Sequence, residues 1–399
     1  MKKNKLLAIL LALLAAFVTF LSFSFNKSVY FEKNGTNIND VQETKEEVVA
    51  EEKEEKIATA TIVATGDIMF HLPQIRAGYD SKTDIYDFKN SFEYVKKYID
   101  SADLALGNFE TVTAGREHGF KGYPNFNAPK ETLEALKYAG YDIISTANNH
   151  CLDQGKKGLI STIDAIQEYG LKNIGTYKEP NSPILIENVN DINIGLLSYT
   201  YGCNGMEYCL TDEELSYMVN VTDEEKIKND IQRAKDEGAD IVAVFMHWGN
   251  EYQMEPSPEQ LDLGEKMVQW GVNIVFGSHP HVVQKSEIVA YRGKNDFVIY
   301  SMGNFLSNQR RETTNNKYTE DGIIVSIDIE KNFSTGETVL KNVKYIPTWV
   351  RRYKDGQKLK YEIIPIEEFM NGGDNKIDKE SLDKIKESFD NTFSKMSQL

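Results

Sequence analysis

The sequence predicts an α/β protein in which helices cover a largely buried sheet. Near-continuous apolar segments recur between residues 59 and 305, and several of them end in Gly, Asn, Asp or His. Strands without polar alternation are typical of sheets that are buried on both faces. Apolar residues at helical spacing lie between these segments, and the alternation of strands with helices defines the α/β class.

Seven apolar segments are the predicted strands, in chain order Thr59–Asp67, Ala102–Glu110, Asp142–His150, Ile192–Gly202, Ala239–Gly249, Val272–His281 and Phe297–Phe305. Two helices between them are predicted from the spacing of their apolar residues. The first presents Leu159, Ile163 and Ile166 on one face and ends near Gly170. The second ends before Gly271.

The pattern changes after residue 308. The segments Gly322–Glu330, Thr338–Tyr345 and Leu359–Ile366 alternate like strands, with no long helix between them. They predict an antiparallel part that completes the sheet or packs on it. A polar, amphipathic helix is predicted over residues 379–396. The division is therefore residues 58–310 for the α/β domain and residues 311–399 for the C-terminal strands and helix.

The first 26 residues predict a membrane anchor that is not cleaved. A short basic segment precedes Leu6–Phe25, which is twenty residues long and has no charge. A helix of that length, at about 1.5 Å per residue, crosses the roughly 30 Å hydrocarbon layer. A cleaved signal peptide is the alternative, although residues 22–27 contain no Ala-x-Ala pattern. Because basic residues before a span stay in the cytoplasm, we expect a single-pass protein of the cell membrane with an extracytoplasmic main domain.

The charge of the remaining chain limits its partners. Residues 27–57 are the predicted linker, and Asp40 to Lys56 within it carries a net charge of −5, which favours a solvated tether. The 399 residues together carry −16; because residues 1–26 contribute +3, the rest carries −19. So acidic a domain is unsuited to nucleic acid, whose phosphates are bound by Lys and Arg.

The three cysteines are too few for a scaffold built on disulfides. Cys203 and Cys209 could close a small loop, with Cys151 left over. The alternative interpretation is that all three thiols are free and partly buried.

The histidines carry the clearest functional pattern in the sequence. Asp67, Asn108, Glu110 and Asn149 lie at the carboxyl ends of predicted strands, where α/β sheets bind ligands. Five of the six histidines lie at or just past the same ends, namely His71, His150, His247, His279 and His281. Any one histidine alone is more often a hydrogen-bonded structural residue. The ordered set of imidazoles, carboxylates and amides instead predicts a site for Zn²⁺, Mn²⁺ or Fe.

One segment predicts a local geometry. His279 and His281 are separated only by Pro280. In an extended chain residues i and i+2 point the same way, so both imidazoles could face one cluster, with the proline stiffening the loop.

Six short motifs occur in a fixed order, Gly66-Asp67-Ile68-Met69, Gly107-Asn108-Phe109-Glu110, Asn148-Asn149-His150, Met246-His247-Trp248-Gly249, Gly277-Ser278-His279-Pro280-His281 and Ser301-Met302-Gly303-Asn304-Phe305. This set resembles the bacterial capsule-synthesis CapA family of poly-γ-glutamate capsule biosynthesis proteins, itself similar to calcineurin-like metallophosphoesterases. The resemblance covers roughly residues 60–310. It implies a four-layer αββα sandwich that holds a metal centre, with an N-terminal anchor and an extracytoplasmic domain.

The resemblance also implies a centre with two divalent metal ions. Asp67 and His281 would ligate the first ion. Asn149, His247 and His279 would ligate the second ion. The expected ions are Mn, Zn or Fe.

Further roles follow from the same resemblance. Glu110, or else Asn108, would bridge the two ions, and His150 would donate a proton to the leaving group. The sequence departs from the phosphoesterase pattern at Met69, where those enzymes have a histidine. Either His71 replaces that histidine, or the first metal site is weak or absent. The usual bridging aspartate is also replaced, because Asn108 follows Gly107.

The expected function is the synthesis, export or processing of a poly-γ-glutamate-like anionic polymer, as a metal-dependent hydrolase. Asn108 and Arg310 are the candidate substrate contacts. Arg310 and Arg311 would concentrate positive potential for a polyanion, unless they are ordinary solvated charges. Two alternatives remain: an extracytoplasmic phosphoesterase for a small phosphorylated substrate, and a non-enzymatic component of a membrane complex for polymer synthesis or export.

Overall fold

The computed structural model describes residues 56–370 and 377–396, all of which lie in one compact unit. The predicted membrane segment, residues 1–26, and nearly all of the predicted linker, residues 27–57, lie outside the described residues. Within the described ranges, no helix is long and apolar enough to cross a membrane.

Two sheets form the centre of the fold. The first consists of β1 Ile57–Ile68, β4 Leu104–Phe109, β5 Ile143–Ser145, β6 Lys172–Ile174, β13 Asn304–Leu306, β14 Asp321–Asn332, β15 Glu337–Asp355 and β16 Lys358–Pro365. Its order is β16-β15-β14-β1-β4-β5-β6, with β13 beside β1. Strands β1, β4, β5, β6 and β13 are parallel, whereas β14, β15 and β16 add an antiparallel part.

The second sheet consists of β7 Leu185–Val189, β8 Ile192–Thr200, β9 Ile241–His247, β10 Ile274–Ser278, β11 Ser286–Tyr291 and β12 Lys294–Ile299. Its order is β11-β12-β10-β9-β8-β7, and the four inner strands are parallel. A small ribbon pairs β2 Tyr79–Asp80 with β3 Ile85–Tyr86.

Helices pack on the sides of the sheets that face away from the inter-sheet core. The helices of the described residues are α1 Leu72–Gly78, α2 Lys96–Ile99, α3 Glu131–Ala139, α4 Gly155–Glu168, α5 Asp212–Met218, α6 Glu224–Asp236, α7 Pro258–Trp270, α8 Arg311–Thr314, α9 Ile366–Phe369 and α10 Lys379–Phe393. Helices α3 and α4 share a core with the first sheet, and α6 and α7 share one with the second. A third core lies between the sheets, around Ile62 and Phe245. The predicted mixed α/β class is confirmed.

Three predicted strands are wrong in extent. The predicted strand Thr338–Tyr345 is longer, because β15 continues to Asp355, and the other two differences concern candidate site residues. The segment Phe297–Phe305 is divided between the sheets, because β12 ends at Ile299 and β13 pairs with β1. Gly66 permits this crossing, since a Cβ there would lie 2.0 Å from the carbonyl oxygen of Gly303. Strand β5 ends at Ser145, so the predicted continuation to His150 is instead a loop.

Candidate metal centre

Parallel strands of both sheets end at one place. Asp67 lies opposite Asn108 across β1 and β4, and opposite Asn304 across β1 and β13. In the second sheet His247 lies opposite Ser278 across β9 and β10. The carboxyl ends of parallel strands lie at the same edge of a sheet, so residues up to about 240 positions apart in the sequence meet there. The topology therefore explains why the motifs of the sequence converge.

The convergence brings carboxylates and imidazoles within metal-binding distance. Among the described residues three groups have ligand atoms within 4.8 Å of one another. The groups are Asp67, Glu110 and His281; Glu110, His247 and His279; and Glu251, His279 and His281. Glu110 belongs to two of them, so it can bridge. Asn149 joins the second group, because its Oδ1 lies 3.0 Å from Nε2 of His247.

The donor atoms of these groups fit a divalent cation. Oε1 of Glu110 and Nδ1 of His279 are buried and have no hydrogen-bond partner. Buried polar atoms are nearly always paired, so two unpaired ones on residues of one ligand group indicate a missing partner. Burial and the nearby charge of Asp67 raise the pKa of Glu110 well above its ordinary value. A cation would remove that penalty by balancing the two carboxylates.

The histidines are in the form that binds metals. Burial lowers the pKa of His247 well below its ordinary value, and neighbouring histidines add to the effect. Burial also lowers the pKa of His279 to about 3. Both imidazoles are therefore neutral at pH 7, and the neutral imidazole is the one with a lone pair for coordination.

Hydrogen bonds fix the orientations of Asp67, Glu110 and His281. Nδ1 of His281 lies 3.0 Å from Oδ2 of Asp67 and 3.2 Å from Oδ1 of Asn304. The Asn108 amide donates to Asp67 at 2.9 Å and to Glu110 at 3.3 Å. Asn108 thus holds the two carboxylates in place, which is the role expected of a residue behind the ligands.

His279 and His281 reach one cluster, but for a different reason than the one predicted. The segment is not extended, because His279 has φ +95° and His281 has φ +57°. Such left-handed backbone is uncommon outside glycine and is found where a site imposes it. The backbone N–H of His279 points to the Asp67 carboxylate, with 3.3 Å to Oδ2.

His150 belongs to none of the three groups and lies in a separate buried pair. Its Nδ1 is 2.8 Å from Oδ2 of Asp153, and both side chains are buried. The edge of its ring contacts Phe126 at a centroid distance of 4.8 Å. The Asp153 carboxylate also accepts the N–H of Phe126 at 2.7 Å, and burial raises the pKa of Asp153. With Nδ1 held in this way, Nε2 is the nitrogen left for proton transfer.

Two predicted site residues, Arg310 and His71, contact residues outside the ligand groups. The guanidinium of Arg310 donates to Glu320 and to the carbonyl of Val350. His71 is half-buried, desolvation lowers its pKa to about 4, and its Nδ1 accepts the N–H of Asn308 at 3.3 Å. Neither is in a ligand group. A substrate contact for Arg310 and a ligand role for His71 stay predictions.

The sequence analysis missed Glu251, Asn304 and Tyr201. Glu251 lies four residues after His247 and belongs to a ligand group. The ring of Tyr201 is half exposed and lies 4.6 Å from the ring of His279. Glu251 could have been found as a carboxylate soon after a strand-end histidine. Tyr201 could not, because tyrosine there is equally typical of a buried strand.

The three cysteines are free. The loop between Cys203 and Cys209 is therefore not closed by a disulfide. Cys203 instead lies beside Cys151, with 3.7 Å between the two sulfur atoms.

Comparison with known proteins confirms the family. Residues 61–309 match the model described as bacterial capsule synthesis protein PGA_cap, and the chain belongs to that family. It is 32% identical to the capsule biosynthesis protein CapA of Bacillus anthracis over 66% of this chain, and 28% identical to the PGA biosynthesis protein CapA of Bacillus subtilis over 60%. The aligned part spans 63% and 61% of the length of those relatives.

The chain also aligns with two solved structures, a phosphoesterase and a phosphatase. The calcineurin-like phosphoesterase YfkN of Bacillus subtilis aligns with a TM-score of 0.42 and 16% identity, over 85% of this chain and 99% of that one. A phosphatase of Mycoplasma pneumoniae aligns with a TM-score of 0.43 and 16% identity, over 73% and 94%.

Proposed function

We propose that this chain is a metal-dependent hydrolase that acts on a poly-γ-glutamate-like capsule polymer during its synthesis, export or processing. The observation that carries the proposal is the pair of unpaired buried atoms, Glu110 Oε1 and His279 Nδ1, within groups of ligating side chains. The capsule and PGA biosynthesis names of its relatives support the choice of polymer.

The chain's own residues suit hydrolysis. Asp67, Glu110, Asn149, His247, His279 and His281 would hold two divalent ions. Such ions supply Lewis-acid activation of water and of the scissile group. His150, oriented by Asp153, would protonate the leaving group. Electrostatic influence of His150 on both His247 and His279 supports its closeness to the centre.

The proposal includes the location. A single-pass anchor at Leu6–Phe25 would keep the domain outside the cell membrane, where capsule polymer is handled. The segment is long enough and carries no charge. Finding that the mature protein in cells begins after residue 26 would contradict the anchor.

A phosphoesterase with a small phosphorylated substrate is the second candidate. The joint presence of ligand groups and a buried histidine with a carboxylate partner favours it, since phosphoryl transfer needs the same parts. A non-enzymatic role in a membrane polymer-synthase complex is the third.

One experiment separates these candidates. The purified full chain is analysed for bound metal and then assayed with poly-γ-glutamate and with generic phosphoesters, with and without a chelator. We expect metal-dependent cleavage of the polymer. Cleavage of phosphoesters alone supports the second candidate. A third outcome is bound metal without turnover, together with unchanged capsule output after the ligand residues are substituted. That outcome contradicts both enzymatic candidates.

A further inference from the structure

The two metal positions of the proposed centre have different numbers of candidate ligands. The second would have Asn149, His247 and His279 besides the shared Glu110. The first has only Asp67 and His281 besides that carboxylate. Met69, two residues after Asp67, is buried, and its sulfur lies 3.9 Å from the hydroxyl of Ser307. A thioether is a soft ligand that suits Cu(I) better than Mn²⁺ or Zn²⁺.

His71 does not fill the gap in this structure. Its Nδ1 accepts a backbone N–H from Asn308, and Gln74 Oε1 lies 3.3 Å from the same nitrogen. It is in none of the ligand groups found in residues 56–370 and 377–396. Another residue must complete the first position if two ions bind.

We propose that Glu251 is that residue and that it ligates the same ion as His281, with which it shares a ligand group. Its carboxylate lies within 4.8 Å of ligand nitrogens of both His279 and His281. The backbone N–H of Tyr252 donates to the carbonyl of Pro280 at 2.8 Å, which ties the loop of Glu251 to the loop of these histidines. The inference rests on the metal binding of the proposed function, and it adds a ligand from outside the motifs.

A ring contact also holds this loop against the same histidines. The ring of Tyr252, the residue after Glu251, lies 6.1 Å from the ring of His281, measured between the ring centroids.

Glu251 differs from the other carboxylates in being exposed. Asp67 and Glu110 are fully buried, so changing either risks the fold. Changing Glu251 removes one ligand from a surface loop and leaves the core packing untouched. Glu255 offers a matched control, because it is an exposed glutamate of the same loop and belongs to no ligand group.

The test is calorimetric titration of the full chain with Mn²⁺ and, in parallel, Zn²⁺. We expect two ions per wild-type chain. In Glu251→Gln one ion should bind as before and the other at least about tenfold more weakly, since even residues behind metal ligands contribute 10–100-fold. Glu255→Gln should match the wild type, and Glu251→His should restore binding by supplying an imidazole.

Other outcomes overturn the inference in distinguishable ways. Two unchanged ions in Glu251→Gln would show that Glu251 is not a ligand and would leave the proposed function intact. Three ions in the wild type and two in Glu251→Gln would assign Glu251 to a different ion. A folded wild type that binds no ion would refute the proposed function itself, and Glu251 with it.

Discussion

Two buried glutamates, Glu320 and Glu110, differ in whether the chain balances their charge. Glu320, which directly precedes β14, accepts hydrogen bonds from Arg310 at 2.9 Å, from Arg311 at 3.2 Å and from Trp349 at 3.2 Å. Burial alone would raise its pKa, but the two guanidinium groups hold that pKa below the ordinary value. Its charge is therefore balanced by the chain itself.

Glu110, at the end of β4, has no such partner. It accepts one amide hydrogen bond from Asn108 at 3.3 Å, and its Oε1 has none. Burial and Asp67 raise its pKa well above the ordinary value. A buried charge without a counterion costs several kcal/mol, so a fold retains it only for a reason outside its own packing. The comparison teaches that the charge of Glu320 is balanced within the chain, whereas Glu110 has no such partner, as expected if the proposed metal centre supplies its counterion.

The largest effect is expected on turnover, when His150 is changed. His150 is the partner of Asp153, which is a third buried acid. His150→Asn should keep the fold and the bound metal but lower turnover about 10²–10⁴-fold, because a general acid contributes that factor. Melting temperature, metal content and rate are measured on the same preparation, or capsule output in cells if no hydrolysis is found. An unchanged rate with reduced stability would make the pair structural, like that of Glu320.

The next largest effect is expected at Glu320. Glu320→Gln should lower the free energy of unfolding by about 3–5 kcal/mol, because two guanidinium groups lose a buried counterion. Urea denaturation measures the change. Glu312→Gln is the control, since Glu312 is an exposed partner of Arg352 and such pairs contribute at most about 1 kcal/mol. Equal effects of both variants would break the comparison.

A smaller effect of opposite sign is expected at Glu110. In a chelator, Glu110→Gln should unfold at the same or a higher urea concentration than the wild type, because it removes an unbalanced buried charge. When metal is then added, only the wild type should gain stability. A metal-free variant as unstable as Glu320→Gln would show that Glu110 already has a partner in the chain.

The smallest effect is on the pH dependence of unfolding. The folded pKa of Glu320 is lowered, so its stabilisation is present above the ordinary glutamate pKa and is lost as pH falls through the folded value. The folded pKa of Glu110 is raised, so in the metal-free protein its contribution changes in the other direction and stability is gained as pH falls. Each Gln variant is compared with the wild type at neutral pH and at pH values below the ordinary glutamate pKa of 4.5, and the two comparisons should give slopes of opposite sign.

The class of the fold and the place of the site were predictable from the sequence. Uninterrupted apolar strands indicate sheets with covered faces, and polar residues at their carboxyl ends indicate where ligands bind. The same logic could not divide Phe297–Phe305 between two sheets, because both halves are equally apolar and only the approach of Gly66 to Gly303 separates them.

Side-chain pairing was less predictable than position. Arg310 and Arg311 look like solvent-facing charges in the sequence, yet Arg310 is buried against Glu320, a residue of another segment. Local sequence does not encode which distant carboxylate an arginine meets. Glu251 is a different case, because a carboxylate four residues after His247 is visible in the sequence. The sequence does not show, however, the hydrogen bonds from Tyr252 to Pro280 and from Gln284 to Gln253 that hold its loop at the centre.

Metal content of the full chain is the most direct test of the central claim, which is that the ligand groups at the strand ends bind divalent ions. Elemental analysis is done on the wild type, His247→Ala, His279→Ala and His118→Ala after equal exposure to metal. His118 is half exposed and in no ligand group, so it is the control. We predict bound metal in the wild type and His118→Ala and a marked loss in the other two. Equal metal in all four, or none in a folded wild type, would contradict the account.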